Sequence, residues 1–116
     1  MTASSEYLRW VLEQLEPVGS VRAERMFGGM GIRRGTTQFA IVMRNVLYFV
    51  VDDATRPRYE AAGMESFAYD TRQRRVQVRR YYAVPQEVLE DPDELRAWAE
   101  QSIEIAARET PRKRRA

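Results

Sequence analysis

Apolar residues recur along the chain with two different periods, and the switches between them mark its elements. Leu8, Val11, Leu12 and Leu15 fall at i, i+3, i+4 and i+7, widened by Tyr7 and Trp10, which is the stripe of an amphipathic helix. Ser4 or Ser5 can cap it, and Pro17 and Gly19 end it. "VRAERMF" (21–27) is extended in character. "QFAIVM" (38–43) and "VLYFVV" (46–51) are β-branched and aromatic runs separated by Arg44-Asn45. Asn tolerates the left-handed backbone of a two-residue turn, so the pair reads as an antiparallel hairpin. "DDATRPRYEAAG" (52–63) reads as a short helix, with Asp53 or Thr55 as cap, Pro57 in its first turn and Gly63 just beyond its end. "SFAYD" and "RRVQVRRYYAV" form a second hairpin around Thr71 to Arg74, closed by Pro85. "DPDELRAWAEQSIEIAARE" (91–109) has the strongest helix pattern, with Asp91 as N-cap, Pro92 at N1 and Glu94 at N3 completing a variant capping box. Leu95, Trp98, Ser102 and Ile105 mark one face of that helix, with Ala99, Ile103 and Ala106 beside it.

Strands follow strands here, without alternating βαβ units. The expected fold class is therefore α+β, two-layer, with an antiparallel sheet of about five strands in the order α-β(3)-α-β(2)-α. In the first hairpin both faces are apolar: Leu47, Phe49 and Val51 on one side, Val46, Tyr48 and Val50 on the other. One layer of helices covers only one face. The other either meets a second copy, which motivates a homodimer, or is shielded by the terminal helix or by long Arg stems.

"ERMFGGMGIRRG" (24–35) looks at first like a phosphate loop, with Gly28, Gly29 and Gly31 close together. A Walker loop needs a Lys after its last Gly, and Lys113 is the only lysine. A dinucleotide fingerprint needs a helix whose N-terminus faces the pyrophosphate, and a β-rich run comes next instead. The glycines read as structural: Gly28 and Gly29 supply positive φ or a bulge between strands, and Gly31 allows a close backbone approach.

The 116 residues suit one domain, and 44% apolar with 31% charged residues is the composition of a globular protein. Neither Cys nor His is present, which excludes disulfides, thiolate metal sites and histidine bases. No run approaches a membrane span and no signal-peptide core is visible, so a cytoplasmic location is expected. The last nine residues carry +4 against a net +2 for the whole chain, leaving about −2 for the rest. The expected domain covers 1–108, and 109–116 is a basic tail that reads as disordered.

"RMFGGMGI" (25–32), "FAIV" (39–42), "LYFVVD" (47–52), "YEAAGMESFAY" (59–69), "YYAVP" (81–85) and "LEDPDELRAWAEQS" (89–102) together resemble the N-terminal domain of the TfoX/Sxy competence regulators, over about residues 6 to 108. The resemblance implies a two-layer α/β fold with an antiparallel sheet. It also implies a non-enzymatic regulator, without catalytic residues or cofactor, that promotes transcription of DNA-uptake genes together with the cyclic-AMP receptor protein. Full-length regulators carry a helical C-terminal domain, whereas a short basic tail follows residue 108 here, so the resemblance supports the fold more than the competence role.

Chemistry-bearing candidates are few. "TRQRRVQVRR" (71–80) holds five Arg and no acid. Strand alternation places Arg75, Gln77, Arg79 and Tyr81 on one face, opposite Val76, Val78 and Tyr82. Arg72, Arg74, Arg75 and Arg79, with Tyr81 to stack a base and the 112–115 tail to help, could meet nucleic acid. The same charges also suit a solvated sheet edge. Arg80 falls on the valine parity, which suggests a bulge or an ion pair with a covering helix. Asp52-Asp53 and Glu90-Asp91-x-Asp93-Glu94 sit where helices start and read as caps rather than a metal site. The expected activity is regulation through a protein partner such as the transcription machinery; a small-molecule site or unrecognised enzyme is a third reading.

Overall fold

In a computed structural model, which describes residues 5–26 and 28–109, the alternating runs become six strands. These are β1 (Val21–Met26), β2 (Gly29–Arg34), β3 (Thr37–Met43), β4 (Val46–Val50), β5 (Ser66–Asp70) and β6 (Arg75–Ala83). The helices are α1 (Ser5–Gln14), α2 (Arg56–Ala61), α3 (Gln86–Leu89) and α4 (Pro92–Glu109), with a 3-10 turn at Glu16–Val18. Every strand pair is antiparallel, in the order β1-β2-β3-β4-β6-β5. The α+β class stands. The sheet has one strand more than about five, because "GMGIRR" forms a ladder on both sides, to β1 and to β3. The short α3 after Pro85 is a further addition.

Each turn follows from its residues. Arg44 and Asn45 have φ of 52° and 62°, the left-handed pair that a two-residue hairpin needs. The β5–β6 turn is closed by Thr71, whose Oγ1 accepts from the backbone N–H of Gln73 and Arg74. Asp91 Oδ1 accepts from the N–H of Asp93 and Glu94 and so caps α4. Glu94 does not reach back to complete a capping box; its Oε1 accepts from Trp98 Nε1 at 3.2 Å. At the head of α2 the capping bonds come from Asp52, whose Oδ1 accepts from the N–H of Ala54 and Thr55. Ser4 and the basic tail from 110 onward lie outside the described residues, and Glu109 belongs to α4 rather than to the tail.

Cross-strand partners share a face, so two rows can be read straight across the sheet. Ala23, Ile32, Ala40, Phe49 and Tyr82 form the inner row. Its buried members join Val11 and Leu15 of the N-terminal segment, Tyr59 of α2, Val88 of α3 and the Leu95–Ala106 stripe of α4 in one core. Ser102, buried in that stripe, donates to the Val50 carbonyl at 2.9 Å and pins α4 to β4. Glu24, Gly31, Ile41, Tyr48 and Ala83 form the outer row, on the opposite face. Among the described residues no helix is long and apolar enough to cross a membrane.

The glycine segment is a hairpin. Met26 pairs with Gly29, and Gly28 between them has φ of 79°. Phe27 itself lies outside the described residues. Gly29 is needed for proximity rather than for φ: a Cβ there would stand 2.5 Å from the Val42 carbonyl oxygen and 2.3 Å from Met43 Sδ. A Cβ on Gly31 would meet the Gln38 side chain at 2.4 Å, so its close neighbour is a side chain and not backbone. The glycines lead into β2, with no helix terminus in the position an anion would need. Gly29→Ala is expected to cost about 1–3 kcal/mol, because a backbone carbonyl must move. Chemical denaturation checks this, and an unchanged midpoint would refute it.

Candidate functional site

Two surfaces carry the chemistry, and each lies on one layer. Residues 5–18, 52–63 and 86–109, which hold the helices, carry fourteen carboxylates against five arginines, a net −9. The strands and their turns, residues 21–51 and 64–85, carry ten arginines against three carboxylates, a net +7. A domain whose described part is nearly neutral is thus divided into an acidic layer and a basic one.

The Arg-rich strand does not present its residues as simple alternation predicts. Ser66 pairs with Tyr82, but the next residue, Phe67, pairs with Val78, so residues 79–81 have no partner on β5. This bulge inverts the parity of β6. Phe67 meets Tyr48 edge-on, with ring centroids 5.4 Å apart, which puts Phe67, Val78 and the pair Tyr69–Val76 on the outer face. Tyr81, opposite Val50, shares that face. Val76 and Val78 therefore lie with Tyr81 and not with Tyr82, and Arg75, Gln77, Arg79 and Tyr81 do not form one stripe. Arg79 turns to Glu60 of α2 at 3.7 Å, while Arg80 pairs with Glu109 at the end of α4. The sequence offered a bulge or an ion pair for Arg80, and both are present.

Arg72, Arg74 and Arg75 gather at the tip of the β5–β6 hairpin. Arg75 binds Asp70 at 3.1 Å. Arg72 and Arg74 are exposed and form no ion pair among the described residues. Tyr81 is half-buried, and its hydroxyl accepts from Gln38 Nε2 at 3.1 Å. The residues that pattern reading missed are the outer-face aromatics Phe67 and Tyr69, whose rings lie 6.2 Å apart. Tyr69 is 46% exposed and Val46 36%. Burial pushes the Tyr48 hydroxyl up, while Arg44 and Arg75 act against it, so both guanidinium groups lie within electrostatic reach of that ring.

On the other layer, an open groove of about 720 Å³ runs along the solvent side of α4. Arg34 and Arg58 border it, Glu94, Glu100 and Glu104 line it, and Trp98 forms part of its floor. Arg34 donates to the Val18 carbonyl at 2.9 Å and reaches Glu100 at 3.4 Å. The Arg58 guanidinium sits 4.2 Å from the centre of the Trp98 ring and bonds Gln101. A second open groove of about 400 Å³ lies between Asp52, Asp53, Arg56, Arg79, Arg80 and Glu109. Burial pushes the Asp52 carboxyl up, but hydrogen bonds from Thr55 and Ala54, with Arg108 nearby, outweigh it and hold it below the usual range. Among the described residues no three carboxylates converge as a metal site.

The sequence profile of the TfoX N-terminal domain matches residues 13–106. The chain belongs to that family. No curated protein matches it. The TfoX match begins within α1 and ends within α4, so all six strands, both long hairpins and most of the α4 groove fall inside the shared domain.

Proposed function

We propose that this TfoX domain is a non-enzymatic interaction module in transcriptional, competence-type regulation, acting through protein contacts made by its helix layer. The observation that carries the reading is the acidic surface of that layer, with the α4 groove as its most recessed part. Glu100 and Glu104 line the same groove as Trp98, where a partner's basic segment would find both charge and an apolar contact. Both described grooves are open, which supports contact with a macromolecule over an enclosed small-molecule site.

A tagged pull-down from the native cell tests this. Recovery of RNA polymerase or a cyclic-AMP receptor protein with the wild-type chain, falling about tenfold or more with E100R/E104R, is the expected outcome. Recovery of neither protein, or equal recovery with the reversed charges, contradicts it. Glu104 is exposed and Glu100 is half-buried beside Arg34, so circular dichroism verifies that the variant is folded.

A further inference from the structure

The outer face of the sheet plays no part in contacts made by the helix layer. It is an open surface with an aromatic cluster, Tyr48, Phe67 and Tyr69, in ring contact. Val76 and Val78 stand beside them, and Tyr81 with Gln38 lies further along the same face. The layer carrying this cluster has a net +7, of which Arg34, Arg79 and Arg80 turn to Glu100, Glu60 and Glu109 of the helix layer. Near the cluster are Arg44 and, at the hairpin tip, Arg72 and Arg74, all exposed and without an ion pair among the described residues.

We propose that this face binds single-stranded RNA, with bases stacking on Tyr69 and on the Tyr48–Phe67 pair and phosphates held by Arg44, Arg72 and Arg74.

Four arguments select that occupant. Flat rings on an open sheet need bases whose faces are free, and a duplex hides those faces within its own stack. Among the described residues neither long helix is basic enough to enter a groove, since α1 carries a net −1 and α4 a net −3. A second copy on this face would bring its own Arg44, Arg72 and Arg74, exposed and without an ion pair among the described residues, close to those of the first, and like charges at close range oppose such a pair. Between the two kinds of single strand, RNA is favoured by the polar groups among the rings. The Tyr48 and Tyr69 hydroxyls and the Gln38–Tyr81 pair can both donate to and accept from a 2′-hydroxyl.

The test uses fluorescence anisotropy with the full chain and a labelled, unstructured RNA of about 12 nucleotides, at about 50 mM salt. Single-stranded RNA should bind at least tenfold more tightly than duplex RNA of the same sequence, and no more weakly than the matching single-stranded DNA. Y69A should weaken binding roughly 5- to 150-fold, the loss of one stacked base, while Y69F, which keeps the ring, should lose far less and only from the preference for RNA over DNA. R72A/R74A should reduce the slope of log K against log salt by about 1.4, or 0.7 for each phosphate contact. In R112S/K113S/R114S/R115S, which removes the tail charge, the Y69A effect should persist. No binding at about 50 mM salt, a preference for duplex RNA or for DNA, or a Y69A chain that binds like the wild type would each overturn the proposal. A stable dimer by light scattering that Y69A dissociates would also overturn it, by giving the face to a second copy. These outcomes are independent of the pull-down, which varies only the α4 groove.

Discussion

Trp98→Ala is expected to lower the free energy of unfolding by about 3–5 kcal/mol. The reason is the number of elements meeting at one ring. Trp98 is 9% exposed and stacks edge-on with Tyr59 at 4.7 Å, joining α4 to α2. Its Nε1 donates to Glu94, and Arg58 lies over its face. Alanine would leave a cavity between the two helices, and the core around Tyr59 cannot collapse into it without moving α2. For a domain of this size the loss corresponds to a fall in Tm of more than about 10 °C. Trp98→Phe keeps a ring and gives up the indole N–H bond, so its cost should be well under half as large. Differential scanning calorimetry decides the matter, and a loss below about 1 kcal/mol for the alanine variant would mean the ring is not a junction.

Tyr59 gives the second large effect, in alkali. It is 1% exposed, and burial pushes its hydroxyl up to about 12 from an ordinary value of 10.0, only partly offset by Ser102 and Arg58. The unfolded chain therefore loses this proton at lower pH than the folded one. The contribution of neutral, buried Tyr59 is fully present below pH 10 and is lost as pH rises from about 10 to about 12. Two pH units correspond to about 3 kcal/mol. Urea unfolding across that window should show the decline, and Tyr59→Phe, with no proton to lose, should remove most of it, leaving the smaller part that the raised Tyr7 and Tyr48 hydroxyls contribute. A variant that declines as steeply as the wild type would assign the alkaline loss to other groups.

Much of the fold could be read from residue pattern. The Arg44-Asn45 turn, the capped helix from Pro92 and the β-branched and aromatic runs "QFAIVM" and "VLYFVV" are local features, in which neighbouring residues dictate backbone angles or burial. The extra strand was harder to see. "GMGIRR" has few β-branched residues, and its Gly29 leaves room for the Val42 carbonyl at a distance no Cβ would allow. Glu94 illustrates another limit: its position satisfied a capping box, yet the Trp98 indole one turn later is the partner it takes.

The candidate surface was legible only in part. The five arginines of 71–80 were visible, but the three residues unmatched on β5 at 79–81 were not, and they reverse which side chains share a face. That bulge brings Phe67 to Tyr48 and sends Arg79 to Glu60. The division of charge was hidden for a related reason. A net +2 looks unremarkable until the chain is sorted by layer, and only the sheet order supplies that sorting.

Transcript profiling reaches the proposed role most directly. Cells lacking the chain are compared with cells complemented by the wild type or by E100R/E104R. A regulator acting through its helix layer predicts a discrete set of transcripts that fall on deletion, return with the wild type and stay low with the charge-reversed chain. An unchanged profile on deletion, or full restoration by E100R/E104R, would contradict that account.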